Sequence, residues 1–549
     1  MRRPAAEGQE QTDSNSHSAV AVVLLSIPFS LSGVLVNCYW WYQPRTREVF
    51  LFSLHQTFET PVLAVFSLAV LPILSSFVLV KLSRSIFERR NLRLGTGGIA
   101  VLMVILVLAS SMMAGVAARS YPITGRFVEG NNGVPCTWFV SLDGTTPFAQ
   151  AQLSTNLIPN PGSILVGTAG EDITAFLHSV VTSDESICFG AAIFPVGDSA
   201  IGLANNLVFS GIPGATIFQL GPGTARHMIN WRTVSNFTIY GITFDGNAHG
   251  EADASDRTAG ELVVLRSPSN NRIVLDRVVC ENARNGACLD LGGNNLVVRN
   301  SRFVHNSGDA GASIWPVDHI HFGTSVGVRV SDNYFDDCTD TALAMDHVSL
   351  ATVAGNTFKD CGGQLWTYTP VGGGASTNAT VGGNVFRQTK YLGPAIRIDS
   401  FGDSTVTPAA IGVTITGNSF SNLQQGSYDL IELAWADEIT VNGNTIQSAS
   451  TDPDKYAIAA ISDADLIVNS NTFLNINSGG AGKDTLFQAI AGFSVAGNTF
   501  QTAHVGLEFG CCASASSNGA VVNNMFDSVT NPIIFTTFPT NTVIGNNHS

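Results

Sequence analysis

The 549-residue chain is poor in charge, and poorer still in positive charge. Only 13% of its residues are charged, and 27 Lys and Arg stand against 42 Asp and Glu, for a formal net charge of −15. So few cations argue against nucleic acid as a partner, since neutralising phosphates takes a basic surface. Histidine is scarce too, at 11, so any two on one strand face stand out. The nine cysteines include no C-x-x-C pair, which speaks against a structural zinc site. Between the repeated phrases described next no helical period is sustained, and this excludes leucine-rich and ankyrin-type arrays.

What is there is one short phrase that keeps returning. It reads Val-Ala-Gly-Asn-Thr-Phe at 353–358 and 495–500, with variants at 381–386, 415–420, 441–446 and 468–473 and weaker copies at 330–335 and 521–526. Successive copies lie 23 to 34 residues apart. Apolar residues alternate with small polar ones around a constant Asn, the pattern of strand, sharp turn, strand. Asn tolerates the left-handed backbone of a tight bend. Stacked at the ~4.8 Å spacing of paired strands, the amides would also bond one another as a ladder. The expected architecture is a parallel β-helix, an all-β solenoid in which each phrase marks one turn.

The N-terminal fifth has a different character. After a polar tail over 1–17, uncharged apolar runs occupy 18–36, 60–80 and 97–118, each long enough to cross a hydrocarbon core of ~30 Å. Tyr39, Trp40, Trp41 and Tyr42 follow the first run as an interfacial belt would. The connection after the second run carries Lys81, Arg84, Arg89, Arg90 and Arg93 against Glu88, more cationic than the Arg45–Glu48 connection. The positive-inside rule then predicts a cytoplasmic N-terminus, membrane lipid around three spans, and an extracellular or lumenal remainder. A cleavable signal ending in the small residues 114–118 is the alternative. Residues 119–170 read as a linker and 171–549 as the solenoid, opened by a helix at about 172–182.

From about residue 170 onward the chain resembles the pectin-lyase-like superfamily of right-handed β-helix proteins. Asp172-Ile-Thr-Ala-Phe-Leu, Ala192-Ile-Phe-Pro and Leu207-Val-Phe-Ser resemble its capping helix and first strands, and Phe237-Thr-Ile-Tyr-Gly-Ile-Thr-Phe-Asp-Gly-Asn an early rung. The resemblance implies the fold, and a polysaccharide groove on the strand preceding each Asn phrase. It does not imply one reaction, because the fold carries lyases, epimerases, hydrolases and non-enzymes.

On those strands, period-two alternation sends Asp290, His319, His321, Asp346, Trp366, Arg397, Asp399 and Glu432 outward. His319 and His321 are the candidate bases for proton abstraction beside a uronate, with Asp290 or Asp346 setting their tautomer and Arg397 holding a carboxylate. Hydrolysis would instead use two carboxyl groups, Asp290 with Asp346 or Asp399 with Glu432. Trp366, Tyr368 and Trp435 would offer apolar faces to sugar rings. Asp336, Asp337 and Asp340 suit Ca²⁺, or form an acidic turn without a ligand.

The polygalacturonase-like residues are not all present. Gly-His-Gly has only Ala248-His249-Gly250, far too early, and Arg-Ile-Lys becomes Arg397-Ile398-Asp399. The epimerase-like Asp-Pro-His-Glu has a distant echo in Asp318-His319-Ile320-His321. Cys338 and Cys361 fall at equivalent places in successive copies, within disulfide reach or as a stack of thiols, whereas Cys280, Cys288 and Cys511-Cys512 are left unassigned. Two function classes stand: a membrane-anchored enzyme acting on polysaccharide, and a non-catalytic glycan-binding, adhesive or scaffold protein.

Overall fold

The computed structural model describes residues 136–144, 163–180 and 183–549, apart from loops at 198–199, 202–203, 222–226, 232, 248–260, 284–285, 307–316, 369–374, 388–392, 400–407, 424–428, 449–454, 477–482 and 511–514. The polar tail, the three apolar runs, His249 and Cys511-Cys512 lie outside the described residues. Within them, 43 strands join one continuous sheet system. Successive copies of the repeat pair in parallel and in register: Val330 with Val353, Val353 with Val381, Val381 with Ile415, Ile415 with Val441. The described residues form an all-β parallel solenoid, a parallel β-helix of about ten turns.

The asparagines form the expected ladder. Nδ2 of Asn333, Asn356, Asn384, Asn418, Asn444, Asn471 and Asn498 each donates to Oδ1 of the next, at 2.9–3.1 Å, ending on Asn524. Asn547 extends it by one step. Each backbone N–H donates to the same neighbouring Oδ1, as in Asn384 to Asn418 at 2.9 Å. The bend is not at the Asn, however. Positive φ belongs to the residue before it: Asp332, Gly355, Gly383, Gly417, Gly443, Ser470, Gly497 and Asn523. The preceding Gly takes the left-handed turn at no steric cost, which lets the Asn point inward and stay buried. Beside the ladder runs a second stack, Phe303, Phe335, Phe358, Phe386 and Phe420, with centroids 4.7–5.0 Å apart.

Part of the stretch expected to be a linker belongs to this coil. Trp138–Gly144 pairs with Ser163–Thr168 on one side and with Ser186–Phe189 on the other. Alternation explains it: Trp138, Val140 and Leu142 are buried in the core. The expected helix is present at Thr174–Val180, where Asp172 Oδ1 accepts the Thr174 N–H at 2.7 Å and Phe176 and Leu177 are buried. Three disulfides are formed among the described residues, Cys136–Cys188, Cys280–Cys288 and Cys338–Cys361. The last cross-links adjacent rungs, with Cα atoms 4.5 Å apart.

One feature of the coil breaks strict alternation. Each front strand begins at a corner, where two consecutive residues face inward. By register the corner column contains Cys288, His319, Ala342, Ala395, Ala457 and Asp484, all buried. Asp484 is 0% exposed and neither carboxyl oxygen has a hydrogen-bond partner. Burial raises its pKa well above the usual carboxylate range. Stability from a group raised in the folded state is present below its unfolded pKa and lost as pH rises through the folded one. Asp484→Ala, the residue found elsewhere in this column, is therefore expected to stabilise the fold by about 1–3 kcal/mol at pH 8 and to flatten the alkaline decline. Urea unfolding at pH 5 and pH 8 checks this; equal stabilities for both proteins at pH 8 would contradict it.

Candidate active site

Past the corner, each front strand presents three outward positions, and stacking turns these into three parallel rows. The first row holds Glu261, Ala287, Asp318 and Thr341; the second Val264, Asp290, His321 and Ala344; the third Arg266, Gly292, Gly323 and Asp346. Because the rungs pair in register at ~4.8 Å, residues far apart in sequence become neighbours along each row.

Four of these side chains close into one network. The His321 Nδ1 lies 3.1 Å from Asp290 Oδ1, and its Nε2 lies 2.9 Å from Asp346 Oδ2. Arg266 reaches from two rungs away, donating its Nε–H to Asp290 Oδ1 at 2.9 Å, with Nη2 3.0 Å from His321 Nδ1. It can lie across the sheet because Gly292 and Gly323, next in its row, have no side chains; a Cβ at Gly323 would touch its Cγ at 3.8 Å. Arg266 is half exposed, whereas the Asp290 side chain is 1% exposed.

The electrostatics set the protonation of His321. Burial alone would lower the imidazole, but hydrogen bonds and charge from Asp290 and Asp346 outweigh it and raise it to about 10. That shift favours the imidazolium at neutral pH, with Nδ1 turned to Asp290 and Nε2 to Asp346. With both nitrogens turned to carboxylates, this geometry counts against the expected role of His321 as a base. Asp346 Oδ1 and Asp290 Oδ2 are both buried without a hydrogen-bond partner, but the latter lies 2.8 Å from Arg266 Nε. Asp318, on the strand of His321, is pushed well above the ordinary carboxylate range by burial and by Asp340, though its Oδ1 accepts the Thr341 N–H at 3.0 Å. Burial also raises Glu261.

His319 is not on this face. It occupies the inward corner column, fully buried, with Nδ1 2.8 Å from Asn306 Nδ2 and Nε2 3.1 Å from the Asp336 carbonyl. Burial lowers its pKa to about 3, so it stays neutral. Its place as an outward base fails because the corner turns two successive residues inward. Its sulfur neighbours Cys338 and Cys361 are bonded to each other, so this buried cluster offers no metal cage.

Further along, Arg397 Nη2 donates to Asp399 Oδ2 at 2.7 Å, and its Nε lies 3.6 Å from Glu432 Oε2. Glu432 is raised, chiefly by burial. Arg397 is thus committed to acids of its own chain, which counts against the expected role of holding a substrate carboxylate. Trp366 pairs by register with Ala344 and Arg397, and Tyr368 with Asp346 and Asp399. Trp435 is not in the rows: it forms the left-handed turn after Ile431–Ala434, with φ of 54°. The acids expected to suit Ca²⁺ have separate partners, Asp336 with Lys359 at 3.0 Å, Asp337 with His305 at 3.0 Å and Asp340 with the Thr341 hydroxyl at 3.3 Å. They do not converge on one point.

Sequence reasoning missed Arg266, Glu261 and Asp318. Arg266 was findable, because Val263-Val-Leu-Arg has the same in-out pattern as Leu289-Asp-Leu-Gly. It also missed a cluster at the far end, where Tyr456 donates its hydroxyl to Glu508 Oε2 at 2.7 Å and Lys483 donates to Tyr456 at 3.1 Å.

No family model and no curated protein matches the chain. Among solved structures it is similar to a tailspike protein of E. coli bacteriophage HK620 in complex with a hexasaccharide, at 14% identity and TM-score 0.47, over 70% of this chain and 78% of that one. It is similar to a surface adhesin of Streptococcus pneumoniae, at 14% identity and TM-score 0.41, over 66% and 87%. It is also similar to a mannuronan C-5 epimerase module of Azotobacter vinelandii, at 11% identity and TM-score 0.41, over 68% and 96%. Such identities carry no residue and no reaction over to this chain.

Proposed function

We propose that the chain is a membrane-anchored enzyme that cleaves polysaccharide, with its active site where Arg266, Asp290, His321 and Asp346 meet. The observation that carries this reading is the convergence of two carboxylates, Asp290 and Asp346, on the one imidazole of His321, with Arg266 laid across them on the outward rows. Cleavage of a glycosidic bond needs one carboxylate facing the anomeric carbon or its attacking water, and one protonated carboxyl for the leaving oxygen. Asp346 suits the first role. Asp318, whose pKa is raised by burial and by Asp340, suits the second. His321 and Arg266 position the pair and balance its charge, and with both nitrogens turned to carboxylates His321 is poorly placed as the base that a lyase or epimerase would need.

The anchor and the outward orientation rest on the three apolar runs and the basic connection between the second and third. The three disulfides support an oxidising compartment for the coil. A second reading, a glycan-binding rod without turnover, is favoured by the saturation of His321 by two carboxylates. Prolonged incubation of the full chain in detergent with a panel of polysaccharides separates the two. New reducing ends, absent from the Asp346→Asn variant, are the expected result. Retention of glycan with no new ends would establish the rod instead.

A further inference from the structure

We infer that Asn236 and Asn378 are attachment sites for N-linked glycans; this goes beyond the cleavage reading and rests only on the outward orientation of the coil. Three Asn-X-Ser/Thr sequons occur in the chain, Asn236-Phe-Thr, Asn378-Ala-Thr and Asn547-His-Ser. A folded chain can carry the bulky sugar only where the amide reaches the surface. The three sequons differ in that respect.

The first two share one place in the coil. Asn236 has φ of 52° and Asn378 φ of 53°, and both are exposed. By register they lie in one column of left-handed residues at an outer bend, stepping from Asn236 through Arg272, Asn295, Gly327 and Leu350 to Asn378. Those five steps span about 24 Å at ~4.8 Å each, so both can be occupied at once. In each sequon the middle residue, Phe237 or Ala379, is buried, and Thr238 or Thr380 then turns outward again. Asn236 Nδ2 donates one hydrogen to Asn206 Oδ1 at 2.7 Å, which leaves the second N–H of that nitrogen. Next to Asn378 in the column is Gly412, whose missing side chain keeps the amide open: a Cβ there would lie 3.0 Å from Asn378 Oδ1. Asn547 is different. Its Nδ2 donates to the Val521 carbonyl at 3.0 Å, and its Oδ1 accepts the Asn524 backbone N–H and Nδ2–H, each at 3.0 Å. A sugar on that nitrogen would break its step of the ladder. The modification joins Asn Nδ2 to the anomeric carbon of a lipid-diphosphate-linked oligosaccharide. The bond from that carbon to the diphosphate oxygen breaks, and one amide proton is released with the lipid diphosphate.

Translation of the full chain with endoplasmic-reticulum microsomes tests this, read as mobility shifts that an endoglycosidase removes. Two shifts are expected: Thr238→Ala should remove one, Thr380→Ala the other, and Ser549→Ala neither. These variants leave every Asn in place, so the left-handed bend and the ladder are undisturbed. Ala520→Thr completes a sequon at Asn518, an exposed residue of the same column with φ of 55°, and should add a third shift as the control. A shifted control band with Asn236 or Asn378 unmodified would overturn the inference and leave the outward orientation standing. Modification at Asn547 in place of either would overturn it as well. No shift in any variant, the control included, would overturn the inference and the orientation together.

Discussion

Asp346→Asn is expected to lower kcat on the cleaved glycan by about 10³-fold or more, with KM changed far less. The substitution keeps the shape of the side chain and its contact with His321 Nε2, while removing the carboxylate charge from the network. His321→Gln should fall as far by a different route. It releases Asp346 from its position and leaves Asp290 to Arg266 alone. That variant also carries a stability signature. The raised imidazole contributes stability that is complete below about pH 6.5 and is lost as pH rises through about 10. The wild type should therefore lose stability toward pH 10 by more than His321→Gln does. Activity should fail on the alkaline side as Asp318 gives up its proton. Initial rates from pH 5 to 10 with circular dichroism of each variant decide the matter; an Asp346→Asn enzyme within threefold of wild type would remove this carboxylate from the mechanism.

The largest expected loss of stability lies elsewhere, in the ladder. Asn418 donates Nδ2 to the Val381 carbonyl at 2.9 Å and to Asn444 Oδ1 at 3.0 Å, and its own Oδ1 accepts from Asn384 N at 2.9 Å and Nδ2 at 3.0 Å. It is 1% exposed. Asn418→Ala would strand the Asn384 N–H and the Val381 carbonyl where water cannot reach them, at a cost of about 3–5 kcal/mol in all. Asn442→Ala, two residues before Asn444 on the exposed side of the same phrase, is expected to change stability by less than about 0.5 kcal/mol. In a solenoid the damage should be local, felt first by the rungs flanking residue 418. Hydrogen exchange resolved along the chain checks this: protection should collapse around Val381 and Asn444 while that at Val208 and Phe237 persists. Uniform loss, or none, would contradict the ladder's role.

The coil was legible because its signal repeats. Val, Asn and Phe recur at fixed offsets, so the register of Phe335 on Phe358 on Phe386 follows from the copies themselves. The same regularity joins Asp290, His321 and Asp346 in sequence alone, since alternation and stacking fix which side chains meet. Three things were not legible. The corner reverses alternation locally, so His319 turned inward where counting by twos sent it out. The position of the bend was displaced by one residue, since Gly355 or Asp332 takes the positive φ while the Asn that marks the phrase stays in the core. Arg266 was overlooked because its rung lacks a strong Asn phrase, although its side chain completes the network from two rungs away. Protonation was the deepest gap: two histidines only two residues apart on one strand differ from about 3 to about 10, and only burial and partners separate them.

A crystal structure of the Asp346→Asn protein soaked with an oligosaccharide of the glycan it retains would test the account most directly. The account predicts sugar rings lying along the outward rows, with an anomeric carbon over residue 346 and the leaving oxygen toward Asp318. Sugar bound away from those rows, leaving the His321 network untouched, would contradict it.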